Sequence, residues 1–134
     1  MVFQLITSEE ESRIFDKLTE YYQKLYPQLK FSRKEKLLSR SEIGNIYYTY
    51  SGEETESTSL EKMEMIKEAL GSGYNTPIII LQKKTKLILL DGHRRALFAH
   101  NDNLGWKALI LQSNKDADFG IEKMITKKVK DVKV

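Results

Sequence analysis

Cysteine is absent from this 134-residue chain, and proline and histidine occur only twice each. Without cysteine there is no disulfide, no thiolate zinc site and no cysteine nucleophile. Two histidines make a multi-histidine metal centre a poor expectation. No apolar run approaches the roughly 20 residues that a membrane-spanning helix needs. The opening Met1-Val2-Phe3-Gln4-Leu5-Ile6 is too short for a secretory signal and lacks its basic flank. These absences read as a soluble, cytoplasmic protein with no membrane partner. The charge imbalance is small as well: 22 Lys and Arg stand against 19 Asp and Glu, a net +3. That permits a polyanionic partner without demanding one. The length suits one domain over 1–134, large enough to bury about two-thirds of its unfolded surface without staples.

Hydrophobic spacing divides the chain into short elements. Residues 8–26 predict a helix: Ile14, Leu18, Tyr21, Tyr22 and Leu25 recur at helical spacing, Ser8 with Glu11 suggests a capping box, and Pro27 ends it. Ser32 with Glu35 suggests another capping box, before a short helix through Leu37 and Leu38. Ile46–Tyr50 reads as a strand, and 51–57 as a polar acidic loop. Thr58 with Glu61 opens a helix over 59–70. Ile78–Leu81 and Leu87–Leu90 form a hairpin across the polar turn 82–86. A helix follows, then a strand at 107–111 anchored by Trp106, and a basic helix over about 116–131 carrying Lys123, Lys127, Lys128 and Lys130. Strand and helix do not alternate regularly. The expected class is therefore a compact α+β domain, a small mixed sheet with helices packed around it.

The most informative stretch is Leu87–Arg95, Leu-Ile-Leu-Leu-Asp-Gly-His-Arg-Arg. Four branched apolar residues make a buried strand, and Ala96–His100 reads as a helix. The polar cluster therefore sits where a strand hands over to a helix N-terminus. Unpaired backbone N–H groups and the positive end of the helix dipole favour an anion there. Two arginines at that end oppose the dipole, and a bound phosphate would reconcile the conflict.

Pro-Ile-Ile-Ile-Leu, a short turn, Leu-Ile-Leu-Leu-Asp-Gly-His-Arg-Arg-Ala-Leu-Phe-Ala, a Leu-Gly pair and a further strand together resemble the ParB/sulfiredoxin superfamily over roughly residues 45–112. On that reading 1–44 is an N-terminal helical extension, 45–112 the core and 113–134 a basic C-terminal helix. The resemblance implies a Gly-x-x-Arg turn that binds nucleotide phosphates. Gly92 would let the backbone approach, His93 and Arg94 would contact phosphate oxygens, and Arg95 matches the second arginine of the partition proteins. Asp91 matches the acid of the free-serine kinases, where it would hold Mg²⁺ or take a proton from a substrate hydroxyl. Lys62 falls on a nucleotide-contacting lysine. Glu56, with Glu54 close by, falls near an essential kinase glutamate. Met65 and Ala69 replace two hydroxyl residues of the sulfiredoxin helix.

Each residue also has a plainer reading. Asp91 suits a helix N-cap, and His93 a satisfied structural histidine. Arg94 and Arg95 could pair with Glu53, Glu54 or Glu56, while Lys62 and the acids of that loop could simply be solvated.

The absent cysteine excludes sulfiredoxin chemistry, and 113–134 leaves no room for the further domains of a complete partition protein. Two expectations remain. One is a nucleotide-dependent phosphotransferase or hydrolase using ATP or ADP (or CTP) with Mg²⁺ and a small-molecule phosphoryl acceptor. The other is a stand-alone ParB-like DNA-binding or nuclease module, touching DNA non-specifically through the basic C-terminal helix.

Overall fold

The computed structural model describes residues 5–49 and 56–132, with backbone alone for 56–59. Six strands form one mixed sheet: β1 (Phe31–Leu38), β2 (Tyr47–Thr49), β3 (Ile78–Lys83), β4 (Lys86–Asp91), β5 (Trp106–Ser113) and β6 (Ile125–Lys128). Their spatial order is β1-β5-β3-β4-β2-β6. The pairs β3–β5 and β2–β4 are parallel and the other three antiparallel. Four helices accompany them: α1 (Ser8–Leu25), α2 (Arg40–Gly44), α3 (Glu56–Leu70) and α4 (His93–Asn101). The α+β expectation holds.

The central strand β3 shows why both faces need covering. Ile78, Ile79, Ile80 and Leu81 are all fully buried. Successive strand side chains point to opposite faces. Ile78 and Ile80 accordingly join a core with Ile66 of α3 and Leu97 of α4, while Ile79 and Leu81 join one with Phe15 and Tyr22 of α1. Thus α1 covers one face, and α2, α3 and α4 the other. Trp106 is buried, and its indole N–H donates to the Thr76 carbonyl at 2.8 Å, so it anchors the core as expected.

Three local expectations need correction. The first helix is capped by Thr7 with Glu10 rather than by Ser8 with Glu11, a one-residue shift that turns Glu11 inward, where it is buried. Ser32 and Glu35 do not cap a helix; they lie in β1. Pairing with β5 along its whole length overrides the helical preference of Lys-Glu-Lys-Leu-Leu. Charges on this edge strand also discourage pairing with another chain. The helix expected before the Ile46 strand is instead α2, capped by Ser39 with Glu42.

The basic C-terminal helix is absent as well. Two short 3-10 turns, Ile121–Met124 and Val129–Asp131, flank strand β6. The helical spacing of Ile121 and Val129 misleads because the two serve opposite sides of the sheet: Ile121 packs with the α1 core and Val129 with the other. Both edge strands therefore come from outside the stretch that carries the family resemblance. The Thr58 part of the third capping box lies outside the described side chains. No described helix is long and apolar enough to cross a membrane.

Candidate functional site

Strand β4 runs into α4 through one residue, Gly92. Its φ of 96° is left-handed, and a Cβ there would stand 2.7 Å from Cγ2 of Ile78. Both conformation and space therefore call for glycine. Gly92, not Asp91, is the N-cap, and no side chain caps the first turn. Asp91 is still the last residue of β4, so the expectation that it caps the helix is corrected. The N–H groups of a first helical turn point outward along the axis. Here the first residues of α4 line a cavity of about 260 Å³.

That cavity brings together most of the residues singled out in the sequence. Asp91, Gly92, His93, Arg94 and Arg95 line it from the turn, and Lys62 reaches it from α3. The rest of the wall is largely apolar, with Leu5, Ile6, Ile14, Ile66 and Tyr74. The predicted residues nevertheless have different occupations. Arg94 and Lys62 are half-buried on the wall. Burial lowers the Arg94 pKa from its ordinary value. A cation in partly desolvated surroundings attracts an anion more strongly than one in bulk water.

His93 is tied into the fold. Its Nε2 lies 2.8 Å from the Thr49 hydroxyl, and that hydroxyl donates to the Leu89 carbonyl at 2.9 Å. With its only proton committed, Thr49 accepts from His93, which assigns an Nε2–H tautomer. Burial pushes the His93 pKa down, opposed by the Asp91 charge. What His93 offers an anion is therefore its backbone N–H.

Arg95 turns inward and is 6% exposed. It donates to the Pro77 carbonyl and to Glu11 Oε2, each at 2.6 Å. Its Nη2 also lies 3.6 Å from Asp91 Oδ2. One of the two arginines that opposed the helix dipole thus has a protein counter-ion. Glu11, 84 residues away in sequence, is that partner, where Glu53, Glu54 or Glu56 had been weighed.

Glu11 is the principal site residue that sequence reasoning missed. A signal was present: Glu11, Phe15, Leu18 and Tyr22 share one helical face, so an acid sits in the buried register. Thr49 and the wall formed by Leu5, Ile6 and Ile14 were also missed. The N-terminal segment is held by Thr76, whose hydroxyl donates to the Ile6 carbonyl at 2.9 Å. No sequence pattern links those two positions.

Glu53 and Glu54 lie outside the described residues, as does the side chain of Glu56, the first residue of α3. Among the described residues no group of three His, Asp or Glu side chains could hold a metal ion. The Asp91 carboxylate faces a guanidinium, so the donor set suits a phosphate better than a cation. No protein-family model matches the chain, and comparison with curated proteins and with solved structures gave no match.

Proposed function

We propose that this chain binds the phosphates of a nucleotide at the Asp91–Arg95 turn. One observation carries the reading: an α4 N-terminus with no side-chain cap opens into a cavity where Lys62 and Arg94, from two helices, converge. Backbone N–H groups, helix dipole and two cations all favour the same ligand charge. Arg94 suits a phosphate because its planar fork can donate twice. The apolar wall, including Ile66 and Tyr74, would face the sugar and base.

Phosphoryl transfer or nucleotide hydrolysis is the reaction class this arrangement could support. Asp91 lines the same cavity with its side chain 38% exposed, placed to take a proton from an acceptor hydroxyl or water. The ligand would be ATP or ADP, with CTP as a further candidate. Any Mg²⁺ would arrive on the nucleotide's own phosphates.

A DNA-associated module is the second reading. Lys86 and Lys128 stand 5.8 Å and 5.4 Å from the Tyr47 ring centroid on the β4–β2–β6 half of the sheet, an aromatic flanked by cations. A thermal-shift screen of ATP, ADP and CTP, each with Mg²⁺ and with DNA in parallel, separates the two. A ligand that binds only the folded state raises Tm. The first reading expects a rise with at least one nucleotide and none with DNA; the reverse result favours the second.

A further inference from the structure

Two acids share one guanidinium beside the cavity, which Asp91 and Arg95 line. Glu11 is fully buried, and its Oε2 accepts from Arg95 at 2.6 Å. Asp91 Oδ2 lies 3.6 Å from the same Nη2. The other Glu11 oxygen, Oε1, is buried with no hydrogen-bond partner. A bare carboxylate oxygen in that position is costly. A proton on the carboxyl removes the larger part of that cost, the burial of charge.

We propose that Glu11 holds a proton across Arg95 from Asp91, and that the charge of this acid–arginine cluster sets the affinity of the cavity for phosphate. The inference rests on the phosphate-binding reading above and adds to it a positioning residue, Glu11, that touches no ligand. With one proton the cluster of two acids and one arginine is neutral. When the proton leaves, a net negative charge lies beneath the anion site. Burial is the leading cause that pushes the Glu11 pKa up to about 8, and the neighbouring Asp91 carboxyl adds to it. Arg95 opposes the shift. Among the described residues, the other ionisable groups that line the cavity beside this cluster are Lys62 from α3, His93 and Arg94 from α4, and Tyr74 from the segment before β3. Burial lowers the His93 pKa from its ordinary 6.5, so His93 is already largely uncharged at pH 7 and has little charge to lose between pH 7 and 9.

The test uses the full chain, calorimetric titration with ADP at pH 7 and pH 9, and Glu11→Gln beside the wild type. Glutamine keeps an acceptor for Arg95 and cannot ionise. Wild type is expected to bind ADP roughly tenfold more weakly at pH 9, the effect of one added charge at short range. The variant is expected to lose most of that dependence. An unchanged pH profile in Glu11→Gln overturns the proposal.

A second measurement is independent of ligand. Denaturant unfolding across pH 5–9 reads proton release from the folded state directly. The unfolded glutamate loses its proton near 4.5 and the folded one near 8. The native state therefore holds an extra proton between those values, and wild-type stability must fall as pH rises through that window. Glu11→Gln should lack that component. If the two unfold with parallel pH profiles, Glu11 holds no such proton in the folded state. Absence of ADP binding in wild type at both pH values would instead remove the phosphate-binding reading, and with it the claim about affinity.

Discussion

Both ends of the sheet carry a cluster of charges around a cavity, yet they are built differently. At the hairpin end, Lys83 reaches Glu122 at 2.5 Å and Asp116 at 3.9 Å, and Lys84 reaches Asp116 at 3.3 Å. All four side chains are partly or largely exposed. At the other end, Glu11 and Arg95 are buried and joined to a backbone carbonyl, and the helix start beside them has no side-chain cap. Exposed pairs of the first kind contribute little, typically about 0–1 kcal/mol. A buried pair costs much desolvation, and losing one partner strands the other. Cations and acids gather at both ends. Burial and an open helix terminus distinguish the candidate site.

The comparison can be broken by substitution. Glu11→Ala leaves the buried Arg95 guanidinium with only the Pro77 carbonyl and the more distant Asp91 as partners, and should destabilise the fold by about 3–5 kcal/mol in chemical denaturation. Gly92→Ala meets both the left-handed φ and the Ile78 side chain. It should cost about 2–4 kcal/mol from strain and overpacking together, and nucleotide binding should be lost with it. Arg94→Ala should leave the unfolding midpoint nearly unchanged and weaken nucleotide binding at least tenfold, or about 1.4 kcal/mol. At the hairpin end, Glu122→Ala should cost about 1 kcal/mol or less and leave binding untouched. If Glu122→Ala proved as damaging as Glu11→Ala, burial would not be what separates the two ends.

Asp91→Asn sharpens the division between binding and chemistry. It should abolish phosphoryl transfer, followed by release of labelled phosphate, while nucleotide binding persists. An active Asn variant would remove Asp91 from the proton-accepting role.

The central part of the fold was legible in the sequence because it is locally encoded. Ile78–Leu81 and Leu87–Leu90 are apolar runs bounded by polar turns, and the step from Asp91 through Gly92 to a helix can be read from residue order alone. The flanks were not legible. Strand β1 is composed of residues that favour helices, and only its partner β5 makes it extended. Strand β6 hid under helical spacing because its apolar neighbours pack on different sides of the sheet. The site was half legible for the same reason. Its turn is contiguous, whereas Glu11 and the Leu5–Ile14 wall come from the other end of the chain and meet the turn only in the folded state. The two adjacent arginines pointed correctly to a charge conflict at a helix start. Arg95 turns inward to a buried glutamate, whereas Arg94 lines the cavity in which the ligand is proposed to bind.

Calorimetric titration of ATP into wild type and Arg94→Ala, with Mg²⁺ present and both proteins shown to unfold at the same denaturant concentration, tests the phosphate site most directly. Saturable binding to wild type and at least tenfold weaker binding to the variant is the predicted result. Equal affinity in the two proteins, or no binding of ATP, ADP or CTP to wild type, would contradict it.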